Sequence, residues 1–137
     1  MLAQEQSTVL QFGQASLRLV YDAQNGWIYG DWIGVHSLNT IQKGMNTLLE
    51  WIEQTGATKY LSDNTNIVGG WNTANEWLAD VWTPKAAEVG MKHVAHVLAP
   101  GIFGQMSMES LEPQINSLIN IQMFDALADA QHWLSEQ

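Results

Sequence analysis

The stretch 59–90, KYLSDNTNIVGGWNTANEWLADVWTPKAAEVG, decides how the rest of the chain is read. Its opening, KYLSD, predicts a short strand over 59–63. The polar cluster Asp63-Asn64-Thr65-Asn66 and the pair Gly69-Gly70 then predict a loop. A helix is expected from Thr73, where Glu76 would complete a T-x-x-E capping box and Leu78, Val81 and Trp82 would face inward. Trp77 falls at the boundary of that face. Pro84 cannot sit in a helix interior without losing a hydrogen bond, so it is expected to open a second short helix, capped by Thr83 and stopped at Gly90. Strand, loop and helix in this order make the turn 62–72 the expected working surface. Ligands of open α/β sheets meet the protein where a strand's carboxyl end gives way to a loop.

On the N-terminal side, residues 17–22 alternate, with Leu17, Leu19 and Tyr21 opposed to Arg18 and Asp22. Asn25-Gly26 predicts a type I′ turn leading into a return strand over 27–33, so these two strands should be antiparallel neighbours. Residues 1–7 are polar and expected to be frayed. Residues 8–12 fit either a short strand or a cover at the core edge. A helix over 37–54 follows from the three- and four-residue spacing of Leu38, Ile41, Met45, Leu48, Leu49 and Ile52. Its cap is Ser37 or Asn39 (with Gln42), and Gly56 stands where the helix should stop. Gly44, inside this helix, is expected to let it approach the sheet closely.

On the C-terminal side, 93–99 reads as a strand apolar on both faces apart from its histidines, hence inside the sheet. A helix is expected between 107 and 118, starting late because of Pro113. A last strand over 119–124 follows, then a helix capped by Asp125 with Leu127, Ala130, Trp133 and Leu134 inward. A hairpin followed by alternating helices and strands describes one α/β domain. Its sheet should be mostly parallel, with an antiparallel strand from the hairpin.

Composition narrows the function. At 137 residues and 46% hydrophobic content the chain can build one core. No apolar run reaches the ~20 residues of a membrane span, and the N-terminus lacks a basic segment before an apolar one, so a cytoplasmic location is expected. Fourteen acidic against five basic residues give a net charge of −9, which removes the basic footprint that nucleic acids or anionic membranes require. The absence of cysteine excludes disulfides and thiolate chemistry. Seven tryptophans exceed what a small core needs and leave one or two for a contact surface.

Catalytic patterns are missing. Gly69-Gly70 lacks the lysine and hydroxyl of a phosphate-binding loop, and no G-x-S-x-G occurs. His93 and His96, three apart on a strand, point to opposite faces and cannot share an ion, so no metal or cofactor is expected. His36 and His132 should be exposed at helix termini. Asp63 is the one carboxylate beside the polar cluster, too little for an enzyme. The candidate ligand- or partner-binding residues are therefore Asp63, Asn64, Thr65, Asn66, Trp71 and Trp77. The competing reading is that the Asx side chains merely satisfy turn backbone.

The order of elements, together with Ser62-Asp63-Asn64, Gly70-Trp71, Trp77, Trp82, Pro84-Lys85-Ala86, Gly90, Lys92, Phe103-Gly104, Ser107, Glu109, Phe124, Ala130 and Trp133-Leu134, resembles a STAS domain of the SpoIIAA-like fold, in the bacterial STAS/SEC14-like group. The resemblance spans about 17–134. It implies a mostly parallel sheet of four or five strands with an N-terminal antiparallel hairpin and four helices. It also implies a non-enzymatic regulatory module that binds a protein partner or itself, or, through the SEC14 connection, a carrier of lipid or another small apolar molecule. Anti-sigma antagonist members are switched by phosphorylation of a serine in a D-S-S-G-like signature after the third strand. This chain has Asp63-Asn64-Thr65-Asn66 there, so a serine phosphoswitch is not expected.

Overall fold

The computed structural model describes residues 5–69, 72–99 and 118–137. Six strands form one sheet in the order β1-β2-β3-β4-β5-β6. They are β1 (Glu5–Phe12), β2 (Ala15–Asp22), β3 (Trp27–Val35), β4 (Lys59–Val68), β5 (His93–Val97) and β6 (Asn120–Phe124). The first three are an antiparallel meander, and β3 through β6 are parallel. The sheet is thus α/β and mixed, with more strands and a larger antiparallel part than the sequence suggested. The extra strand is β1. Residues 8–12 belong to it, and residues 5–7, expected to be frayed, are tied down by the same ladder with β2.

The β2–β3 hairpin forms, but its turn is not type I′. Only Gly26 takes a positive φ, 75°. Asp22 builds a wider turn instead: its carboxylate accepts the backbone and side-chain N–H groups of Asn25, and its carbonyl accepts the Gly26 N–H at 2.8 Å. A carboxylate that offers two local bonds favours this longer loop over the tight one.

Helix α1 (Leu38–Thr55) begins at Ser37, whose hydroxyl accepts the Thr40 N–H while the Thr40 hydroxyl accepts the Ser37 N–H. Ser37, rather than Asn39, is the cap. The helix ends at Gly56 with φ 71°. Its face Ile41, Met45, Leu48, Trp51 and Ile52 packs on Leu17, Leu19, Ile28 and Trp32 of the sheet. Gly44 makes this approach possible. A Cβ there would lie 2.7 Å from Trp32 Cη2 and 2.8 Å from Leu17 Cδ2. Gly44→Val should therefore cost about 2–3 kcal/mol through overpacking, read as a shift in the denaturation midpoint. An unchanged midpoint would show that the interface yields.

The second crossover is built in pieces: a 3-10 turn Asn72–Ala74, α2 (Asn75–Trp77), a π-helical stretch Leu78–Trp82 and α3 (Thr83–Glu88). No Thr73 capping box forms: α2 has Ala74 at its N-cap and no side-chain cap bond. The physical reason for the π stretch lies in Pro84. In a continuous α-helix its ring would press on the carbonyl four residues earlier. Here the Thr83 N–H bonds Leu78 O, one residue wider than the α pattern, and the helix passes Pro84 without a break. Thr83 is accordingly inside the helical run, not a cap. The widened turn also rotates Val81 outward to 38% exposure, whereas Leu78 and Trp82 stay buried. Both crossovers lie on one side of the sheet.

The last helix, α4 (Leu127–Ser135), follows β6 and covers the other side over β4, β5 and β6. Its N-cap is Ala126, without the side-chain bond expected of Asp125. Ala130 and Leu134 pack with Trp27, Leu61, Ala95 and Val97, and Leu127 and Trp133 flank them. Residues 107–117 of the helix expected between 107 and 118 lie outside the described residues, and Leu118 stands in a turn. No helix among the described residues is long and apolar enough to cross a membrane.

Candidate functional site

Strand β4 does not stop at Asp63 but runs on to Val68 alongside β3. The polar cluster is therefore part of the sheet and not a loop. The register slips between Asp31↔Asp63 and Ile33↔Asn66, so Asn64 and Thr65 together oppose Trp32. This β-bulge inserts one residue and decides which way each polar side chain points.

Asn64 turns inward, beneath the crossovers, and is wholly buried. Its amide Nδ2 donates to Ser62 Oγ at 3.0 Å and lies 3.2 Å from His96 Nε2. The hydrogen-bonded pair Trp32 Nε1 and Tyr60 Oη, 3.0 Å apart, is buried on the same face. Burial holds the His96 ring well below its ordinary pKa, at about 4, although the nearby Asp63 charge pulls upward. A neutral ring keeps one nitrogen free to accept the Asn64 N–H. Asn64 is therefore held within the inner network and exposes no surface, unlike the accessible binding residue expected from sequence.

Asp63 points to the opposite side, and Asp31 stands next to it in register on β3. Asp63 Oδ2 accepts the Tyr29 hydroxyl at 2.6 Å. Its Oδ1 accepts the Thr65 hydroxyl at 2.6 Å and the Thr65 N–H at 3.1 Å. Three donors fix this carboxylate. Asp31 is the contrast: its Oδ1 is buried with no hydrogen-bond partner among the described residues. Burial, and then the charge of Asp63, push its carboxyl above the usual range, opposed by Arg18. Burial and the bond to Asp63 raise the Tyr29 hydroxyl likewise. The Arg18 guanidinium lies 5.7 Å from the Tyr29 ring centroid.

Around this polar centre the outer side carries exposed aliphatics on β1 and at the carboxyl ends of β3 and β4. Val9 is 56% exposed, Ile33 39%, Val35 71% and Val68 60%. Val35 and Val68 are register partners, and Ile33 lies two residues before Val35. Thr65 and Asn66 are exposed nearby. Trp77 is half-buried against the inner core on the far side of the sheet. Trp71 lies outside the described residues. The five described residues of the six picked from sequence do not converge: Asp63, itself buried, and the exposed Thr65 and Asn66 share the outer side, while Asn64 and Trp77 belong to the inner one.

Arg18, Tyr29, Asp31 and the four exposed aliphatics were missed. The signal was available in the alternation of β3, where Tyr29, Asp31 and Ile33 fall on one face, but it needs the pairing with β4 to acquire meaning. The histidines fall as their spacing requires. His93 stands toward Trp133, 6.2 Å between ring centroids, and His96 on the Asn64 side. His36 is not exposed: it packs on Trp32, and its Nε2 lies 3.1 Å from the carbonyls of Ser16 and Ile33. His132 is exposed, with Glu136 at 3.5 Å. No protein-family model matches the chain, and no curated protein matches it.

Proposed function

We propose that the chain is a non-enzymatic, STAS-like interaction module of the SpoIIAA-like kind, which binds a protein partner through the open side of β3 and β4. The observation that carries this reading is the pair Val35 and Val68, 71% and 60% exposed and side by side, with Ile33 adjoining. Contiguous β-branched surface of this kind is costly to leave in water and marks contact sites. The exposed Thr65 and Asn66 beside them add hydrogen-bonding groups, so the complementary surface is apolar with polar groups at its margin. A net charge of −9 favours a basic partner.

The test compares wild type with the double variant Val35→Lys, Val68→Lys in affinity capture from the native host, using the full chain. Both positions are exposed, so the melting temperature should move by no more than a few degrees. A protein retained by wild type should be lost at least tenfold by the double variant. Equal retention by both forms sinks the reading. Stoichiometric co-purification of a lipid or another small apolar molecule, seen by native mass spectrometry, would favour a carrier instead.

A further inference from the structure

The strand β1 is one of the two edges of the sheet. Its register with β2 is unbroken from Glu5↔Asp22 to Phe12↔Ala15, with no bulge. The connecting loop is Gly13-Gln14, and Gly13 has φ 66°, the first position of a type II′ turn. In a two-residue hairpin the closing pair exchanges both of its N–H···O bonds, and antiparallel ladders alternate from there. Phe12, Leu10 and Thr8 therefore bond toward β2. The backbone groups of Gln11, Val9, Ser7 and Glu5 point to the free side.

Edge strands are ordinarily guarded by lysine, proline, a bulge or short length. This one, EQSTVLQF, has none of these guards over its eight residues. Its single charged residue is Glu5, at the first position.

We propose that β1 pairs antiparallel with β1 of a second copy of this chain, about a twofold axis through Thr8, joining the two sheets into one. Residues directly opposite each other must point to the same face, so the axis passes through a residue and not between two. Centring on Thr8 sets Ser7 against Val9 of the second copy and Glu5 against Gln11. Every outward group from 5 to 11 is then used, giving roughly eight backbone hydrogen bonds. No charged residue meets a like one. A second copy is the occupant because the strand is neutral over 6–12 and matches itself in this register. The twofold closes the pairing at a dimer. With a net charge of −9 on each chain, added salt should tighten the association by screening their repulsion.

Sedimentation equilibrium on the full chain tests this with two variants. Ser7→Pro removes one outward N–H and leaves the ladder to β2 intact. It should weaken the dimer at least tenfold while the melting temperature changes little. Thr8→Cys introduces the only cysteine. On the axis its Cβ lies about 4.5–5.5 Å from its mate, so oxidation should give a covalent dimer. Val9→Cys, offset by two residues from its mate, should not. A wild type that stays monomeric at about 0.5 mM (a millimolar-scale Kd or weaker), a dimer indifferent to Ser7→Pro, or a Thr8→Cys chain that stays monomeric on oxidation would each overturn the proposal. If Ser7→Pro also lowers the melting temperature, Thr8→Cys decides alone. Loss of a captured partner in the Val35/Val68 variant, with the chain monomeric throughout, would leave the proposed function standing and remove only this pairing.

Discussion

Trp82→Ala should lower stability by about 3–5 kcal/mol, a fall in melting temperature of roughly 10–20 °C for a chain of this size. The indole is 4% exposed, and its Nε1–H donates to the Met45 carbonyl of α1 at 2.7 Å. It therefore does two things at once. It fills the space between the second crossover and the first, and it gives that contact a direction. Alanine would leave a cavity under a π-helical stretch that cannot easily collapse, since Pro84 fixes the chain just beyond it. Trp77→Ala is the control. That side chain is only half-buried against the same core and should cost less than half as much. Equal losses at both positions would mean that the crossover behaves as one block in which neither tryptophan is special.

The second large effect is a pH dependence centred on His96. Its unfolded pKa is 6.5 and its folded value about 4. Between those values the unfolded chain binds a proton that the folded chain refuses, so stability falls as pH drops through this window and levels off below it. The size is roughly 3 kcal/mol, from about 1.4 kcal/mol per pKa unit. His36, also lowered by burial, adds in the same direction. Asp31, whose carboxyl is raised, works the other way: its neutral form suits the fold, so its contribution is fully present below its unfolded value of 3.8 and lost as pH rises through its folded value. The net result should be a decline from pH 6.5 toward pH 4. His96→Gln keeps an acceptor for the Asn64 amide but does not titrate. Denaturant melts of wild type and variant across this range should diverge by roughly 3 kcal/mol. Parallel profiles would show that the ring is already solvated or already charged.

These two residues also show what sequence could and could not reveal. Trp82 was legible because its burial follows from local spacing with Leu78. The helix α1 was legible for the same reason, with its Ser37 cap and Gly56 stop supplied by immediate neighbours. Val81 was not, because the widened turn before Pro84 breaks the period on which its placement depended. The largest miss was β4. Asp63-Asn64-Thr65-Asn66 has the composition of a turn, and local propensity says loop. The strand continues because distant partners hold two of these side chains: Tyr29 reaches Asp63 from 34 positions away and His96 reaches Asn64 from 32. Once those bonds form, the preference for a turn loses its cause. The candidate site suffered most: strand alternation sends Asp63 and Asn64 to opposite faces, the one-residue bulge then brings Thr65 and Asn66 to one side, and nothing in the local sequence announces a bulge.

Strand order across the sheet repeats strand order along the chain. No strand has to be inserted between two already paired, and every ladder joins consecutive elements. Contact order is accordingly kept low for a sheet of this size, which favours fast folding. On the ribosome the sheet can grow by addition at one end. The meander can close its ladders over residues 5–35, and each later strand docks on the one before it once its crossover has emerged. The growing margin is always the newest strand, still near the exit tunnel, and is covered by the next. The opposite margin, β1, is complete first and waits longest. If nascent chains on one message meet at all, that is the margin by which they would meet.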